Sequence, residues 1–207
     1  MSNNLVVIPI KTEEAVPWIM QKHYAKRLPS ISYAFGLYEE NQLIGVVTYG
    51  IPASNNLCEG ICGKSYKKFV IELNRLCLLN NDKNQSSFLV GNSIQMLPKP
   101  KIIVSYADTA QGHVGYVYQA TNFLFTGTTK ERTDMSAGDG KHSRHATNSS
   151  IRQNRSAKHR YIYFHGTKTD KKLLQRKLNY EILPYPKGKT KQYDAGGNVR
   201  TQSILFI

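Results

Sequence analysis

Apolar residues recur along this chain with two periods, and the switches between them predict alternating strands and helices. Leu5–Ile10 is rich in β-branched residues and predicts a first strand. Thr12 can cap a helix running through Trp18 and Met20 to about His23, with Glu13 and Glu14 in the first turn, where the helix dipole favours acids. Ile31–Tyr38 and Gln42–Tyr49 flank the polar turn Glu39-Glu40-Asn41 and predict a hairpin. Pro52 to Lys68 reads as a loop, and Phe69–Leu79 as a central strand. Phe88, Leu89, Ile94 and Leu97 have helical spacing behind Ser86-Ser87, and Pro98 and Pro100 end that helix. Lys101–Ala107 predicts a buried strand, Gly112–Phe123 a helix, and Leu124–Thr126 the start of another strand. Arg160–His165 has the period-two pattern of a strand, and Thr169–Leu178 reads as a short helix before a Pro-Tyr-Pro turn and a polar tail. The hairpin must be antiparallel while the remaining order is strand–helix–strand, so the expected class is α/β with a mixed sheet, in one domain over residues 1–207.

Charge changes the picture more than composition does. Lys and Arg number 28 against 14 Asp and Glu, a formal net charge of +14. Such a chain attracts polyanions, chiefly through counterion release from nucleic-acid phosphates. The charge is also unevenly placed. No acid occurs from Gly140 to Thr169, a stretch that holds Lys141, Arg144, Arg152, Arg155, Lys158 and Arg160 together with four of the six histidines. Duplex DNA is the expected partner, bound through these six cations, although a solvated basic face has the same composition. The sequence leaves the oligomeric state open, a homodimer included. Three cysteines, Cys58, Cys62 and Cys77, are too few for a disulfide framework and lack a fourth zinc ligand, so free buried thiols are expected. No apolar run is long enough to span a membrane, and Met1–Ile10 lacks the pattern of a signal peptide, so the expected location is the cytoplasm.

Two segments could carry chemistry. Asp108 closes the apolar strand Lys101–Ala107 just before a helix start, the usual position of a site in an open sheet. It is also the one acid between Asp82 and Glu131. A helix-capping aspartate fits the same position. His113 fits a ligand or a base, and equally a surface histidine in a first helical turn. The second segment is Gln85-Ser86-Ser87 at a helix N-terminus, where unpaired amides and hydroxyls can hold a pyrophosphate, though most serine-capped helices bind nothing.

The run Asp108-Thr109-Ala110-Gln111-Gly112-His113-x-Gly115-x-x-Tyr118-Gln119-Ala120-x-Asn122-Phe123-x-Phe125-x-Gly127 resembles the signature of the Mom family. His23-Tyr24, Glu72-Leu73-x-Arg75-Leu76 and Lys158-His159-Arg160-Tyr161 are similar as well, so the likeness covers roughly residues 20 to 186. The resemblance implies a GNAT-like acyltransferase fold, to which the charge distribution adds a basic C-terminal extension, with a DNA-binding segment at about residues 138–165. It implies a phage enzyme that adds a carbamoylmethyl (acetamido) group to the exocyclic amine of adenine in DNA and so shields that DNA from restriction. Acetyl-CoA or a related acyl donor would then lie between the Phe69–Leu79 and Lys101–Ala107 strands. Its arm would run along Leu76, Cys77 and Leu78, and its pyrophosphate would face Gln85, Ser86 and Ser87, although the usual glycine-rich loop is absent. Tyr118 takes the place of the general acid, unless it is simply a core tyrosine, and Ser93 that of a functional serine. Asp108 would be a base or a metal ligand, and His23, Tyr24, Asp108 and His113 would together bind iron. A non-catalytic DNA-binding protein, or an acyltransferase of tRNA or protein amines, fits the basic segment equally well.

Overall fold

The computed structural model describes residues 4–80, 82–135 and 152–188. A seven-stranded sheet runs in the order β1-β2-β3-β4-β5-β9-β6. Its strands are β1 (Leu5–Pro9), β2 (Tyr33–Glu39), β3 (Gln42–Gly50), β4 (Val70–Leu78), β5 (Lys101–Asp108), β6 (Leu124–Thr128) and β9 (Lys158–His165). Every neighbouring pair is antiparallel except β4 and β5. The sheet is therefore mixed, as the alternation of strands and helices predicts.

Its two faces bury different clusters. Phe35, Val47, Tyr49, Leu73, Ile103 and Tyr161 point to the face covered by α3 (Gln85–Met96) and α4 (Tyr116–Ala120), where Leu89, Val90 and Ile94 are buried. Each such aliphatic side chain contributes about 1.5–3 kcal/mol of burial. The opposite face carries α1 (Thr12–Gln21) through Ala15 and Ile19, and α2 (Asn55–Cys62) and α5 (Lys168–Arg176) through Ile61 and Leu174. No helix among the described residues is long and apolar enough to cross a membrane.

Three stretches depart from the pattern read along the sequence. The expected loop Pro52 to Lys68 contains α2 and a 3-10 turn over Lys64–Phe69. Cys58, Ile61 and Cys62 supply the apolar stripe at helical spacing, with Ser54 as the cap through Leu57 N–H at 3.2 Å. The cysteines act as small apolar residues, free and buried. The expected helix Gly112–Phe123 shrinks to α4, because Gly112 and Gly115 adopt φ of 66° and 80° and Asn122 a φ of 61°. A Cβ on Gly115 would also lie 2.5 Å from the Tyr161 ring. Thirdly, a two-stranded hairpin of β7 (Arg132–Met135) and β8 (Arg152–Arg155) stands where short polar segments gave no strand signal.

Candidate active site

Strands β4 and β5 part soon after they meet. Their ladder holds at Val70–Ile102, Ile71–Ile103 and Glu72–Val104, and both strands then continue without pairing. On its other side β4 stays bound to β3, with Leu76, Cys77 and Leu78 opposite Val47, Val46 and Gly45. The β5-facing backbone of that stretch therefore lines a gap, crossed by the Ser105 hydroxyl bonding to Leu73 O at 2.9 Å. Cys77 is buried beside it, and desolvation pushes its thiol up to about 12, so it stays protonated.

On the α3/α4 side of the gap lies a chain of buried hydroxyls. Tyr118, 8% exposed, is pushed up to about 12 by burial, against a lowering hydrogen bond with Ser105. A phenol in that state holds its proton at neutral pH and can donate it. Ser93 is fully buried, shares a 2.7 Å hydrogen bond with Tyr49, and donates to Val90 O at 3.0 Å. Tyr49 was not foreseen: within an apolar strand its hydroxyl is invisible to periodicity.

The α3 N-terminus differs from a plain serine cap. The helix begins at Gln85 with Asn84 in the left-handed region, and Gln85 is buried with its amide turned to Asp82 at 3.1 Å. Ser87 donates to Asn84 O at 3.0 Å. Ser87, Phe88 and Gly91 face Ala120, Thr121 and Asn122 across a cleft of about 410 Å³. Leu76–Leu78 on the gap and the first-turn amides of Ser86 and Ser87 are the groups that could hold the arm and the phosphates of an acyl-carrying cofactor. The Asp82 carboxylate near that helix end opposes a dianionic group there.

The opposite face of the gap is charged. Asp108 alternates with Ala107 and so turns away from Tyr118, onto the face of Tyr106 and Lys158. Its carboxylate pairs with Lys158, accepts from Ser156 at 2.5 Å, and caps the turn Thr109–Gln111 through Ala110 N–H at 3.1 Å. Burial raises its pKa, but the bonds from Lys158 and Ser156, the Lys158 charge and the Ala110 amide outweigh this, and the carboxyl sits below its ordinary value. The capping role holds, and a base with so low a pKa is a weak one.

Three of the residues expected to hold iron lie together. His23 and Tyr24 stack at 4.5 Å and Tyr24 meets His113 edge-on at 6.1 Å, an aromatic cluster. Burial, with Arg75, His113 and Lys158 nearby, lowers His23 to about 3, so its ring is neutral, with Nδ1 accepting from Ala25 N–H at 3.1 Å. Among the described residues no group of three His, Cys, Asp or Glu lies close enough to hold a metal. Asp108, engaged by Lys158, Ser156 and the Ala110 amide, stands beside this ring cluster.

Two further residues of this face were quoted only as a motif. Thr48 pairs with Arg75 and Tyr49 with Leu73, so Asn74 bulges out and Glu72 and Arg75 turn to the same face despite their odd spacing. Arg75 donates to Arg27 O at 2.7 and 3.3 Å and to Asn74 O at 2.6 Å, tying the loop after α1 to β4. Of the six expected DNA-binding cations, Lys141 and Arg144 lie outside the described residues, and the Arg152 backbone belongs to β8. Arg155 neighbours Arg27. Lys158 is held by Asp108, and Arg160 bonds Thr126 at 2.7 and 2.9 Å and covers the Tyr180 ring at 3.5 Å. Those last two head groups serve the fold.

Compared with known proteins, residues 4–187 match the model of the Mom protein family. The chain belongs to the Mom protein family. Methylcarbamoylase mom of Escherichia phage Mu is 25% identical over 190 residues, which span 82% of this chain and 78% of that protein. Among solved structures, NAA60 of Arabidopsis thaliana in complex with acetyl-CoA matches with a TM-score of 0.51 at 12% identity, covering 78% of this chain and 98% of that one. A GNAT-family acetyltransferase from Bacillus cereus ATCC 10987 gives 0.45 at 11% identity, over 77% and 96%. This Mom family member thus has the GNAT acetyltransferase fold.

Proposed function

We propose that this chain modifies DNA, placing a carbamoylmethyl (acetamido) group on the exocyclic amine of adenine and so shielding the DNA from restriction. The observation that carries the reading is the Mom family match over residues 4–187, which takes in the whole β4–β5 gap and both of its faces. The Mu relative's name, methylcarbamoylase, supports the group transferred. In this reading an activated acyl-type donor lies in the gap along Leu76, Cys77 and Leu78. Tyr118, with Ser105 and the Tyr49–Ser93 pair around it, gives a proton to the departing group. DNA approaches the charged face, where Arg27 and Arg155 meet phosphates, and Lys141, Arg144 and Arg152 bind DNA with them. An amine inside a duplex is out of reach, so the adenine is turned out of the stack. Tyr161 is fully buried and serves the core, while Tyr163, partly buried against Phe123, lines the cleft beside α3 and α4.

Mass spectrometry of nucleosides from cells expressing the protein tests this. The expected product is deoxyadenosine with one amine hydrogen replaced by CH2CONH2. Unmodified deoxyadenosine beside a modified tRNA nucleoside would move the substrate to RNA, and no modified nucleoside in either pool would leave the DNA-modification reading without support.

A further inference from the structure

Leu28 and Ile51 are the two most exposed large apolar side chains among the described residues, at 50% and 65%. Single exposed aliphatics are ordinary on a protein surface, but these two share one rim. Ile51 follows Gly50 at the end of β3, and Gly50 passes so close to Ser30 that a Cβ on it would overlap Ser30 O. Leu28 lies two positions before Ser30, and β4 holds the carbonyls on both sides of it. Arg75 donates to Arg27 O at 2.7 and 3.3 Å. The Asn74 side-chain amide donates to Ser30 O at 2.8 Å while its oxygen accepts from the Thr48 hydroxyl at 2.7 Å. Pro29, between Leu28 and Ser30, restricts the backbone further. The rim also sits among cations. Arg27 neighbours both Arg75 and Arg155, with Glu72 the acid set among them. Arg75 is three positions along β4 from Glu72, where pairing with β5 ends, so the rim borders the charged face of the gap.

We propose that Leu28 and Ile51 form a wedge that enters the base stack of duplex DNA and fills the space left by the extruded adenine. The proposal rests on the DNA-modification reading above. Extruding a base breaks its pair and its stacking on both neighbours, and the vacated step closes again unless something occupies it. Proteins that open such steps insert Leu, Ile, Met or Phe, because an apolar side chain replaces stacking contacts without needing a hydrogen bond. The rim meets the requirements in turn. Its apolar tips stand clear of the surface, its backbone is tied to β4 on both sides of Leu28, and the guanidinium groups beside it suit the phosphates of the opened step. Burial of the two side chains in the stack offsets part of the cost of opening it. Two aliphatic side chains are too little surface to hold a protein partner, which needs roughly 1,000 Å².

The test is transfer in extract of the expressing cells, which supplies the donor, to two forms of one added DNA. One is the duplex; the other is the same strand annealed to a partner with mismatches opposite its adenines. Modified deoxyadenosine is measured for wild type, for Leu28→Ser with Ile51→Ser, and for Leu28→Met with Ile51→Met. The double serine variant loses only exposed apolar surface, so it should melt near the wild-type temperature. With no cation removed, it should also keep the salt dependence of duplex binding. Its transfer to the duplex should fall by roughly tenfold or more, while transfer to the mismatched adenines, already unpaired, stays within about threefold. The double methionine variant should keep most of the duplex transfer. A folded double serine variant that modifies the duplex as well as wild type overturns the proposal. So does an equal loss on both DNAs, and so does a change from dimer to monomer on sizing, which would make the rim a contact between copies of this chain. If wild type modifies neither form, the underlying reading fails and the wedge with it.

Discussion

At the level of single residues, Tyr118 and Asp108 separate into two kinds of work. Tyr118→Phe removes a hydroxyl that burial keeps protonated, and leaves the ring between Phe123 and Tyr161, at 5.4 and 5.2 Å. Modified adenine should drop about a hundredfold with little change in melting temperature; near-normal modification would return Tyr118 to the core. Asp108→Asn should act on stability. It strands the Lys158 ammonium and weakens the Ser156 and Ala110 bonds, a cost of about 1–3 kcal/mol near neutral pH. The sign with pH follows from a folded pKa below the ordinary 3.8. The carboxylate's contribution is complete above the unfolded value and is lost as pH falls through the folded one. Thermal melts of wild type and Asp108→Asn should therefore differ near pH 7 and converge in strong acid; a constant difference would mean the ion pair contributes nothing. The sequence marked Asp108 as a strand-ending acid, and left cap and base both open. It could not show the partner that decides between them, because Lys158 is fifty positions away and meets it only through the β5–β9 register.

Among elements, the segment after α5 does what its composition hides. Read as a Pro-Tyr-Pro turn and tail, it crosses the molecule as a strap. Asn179 N–H bonds Ile61 O at 2.9 Å, Leu183 N–H bonds Phe125 O at 2.9 Å, and Tyr185 donates to Phe123 O at 2.8 Å. Gln119 reaches Pro186 O at 3.3 Å, and Tyr116 bonds Gly188 O. The strap thus pins both ends of α4, a helix of five residues that could not stand alone. A chain ended after Leu178 should lose amide protection across Tyr116–Phe123 in hydrogen exchange, and with it the placement of Tyr118. Protection equal to the full chain would show α4 to be self-supporting. The strands and longer helices were legible because each buries one periodic face. The strap, the Asn74 bulge and the β7–β8 hairpin were not, since backbone bonds to distant carbonyls leave no hydrophobic period. The gap itself follows from pairing that stops, and no residue pattern announces where two strands cease to bond.

For the whole molecule, a charge of +14 makes salt the sensitive variable. If cations on the charged face neutralise DNA phosphates, log affinity falls linearly with log salt, by about 0.9 for each contact on duplex DNA. The fold already engages two of the six cations, Lys158 and Arg160. Arg152 and Arg155 belong to the β8 strand, with Lys141 and Arg144 in the same acid-free stretch. Arg160, though adjacent in sequence, is fixed by Thr126 and the Tyr180 ring. Replacing Lys141, Arg144, Arg152 and Arg155 together by Gln should therefore flatten the salt slope by up to about 3.6, a value set by four contacts at 0.9 each. Arg160→Gln should instead leave the slope unchanged and lower the melting temperature, since Thr126 O and the Tyr180 face lose their partner. Fluorescence anisotropy with a labelled duplex across a salt series measures both. A slope untouched by the fourfold variant would take DNA off this face, and a slope reduced by Arg160→Gln alone would mean that its guanidinium leaves Thr126 for phosphate when DNA binds.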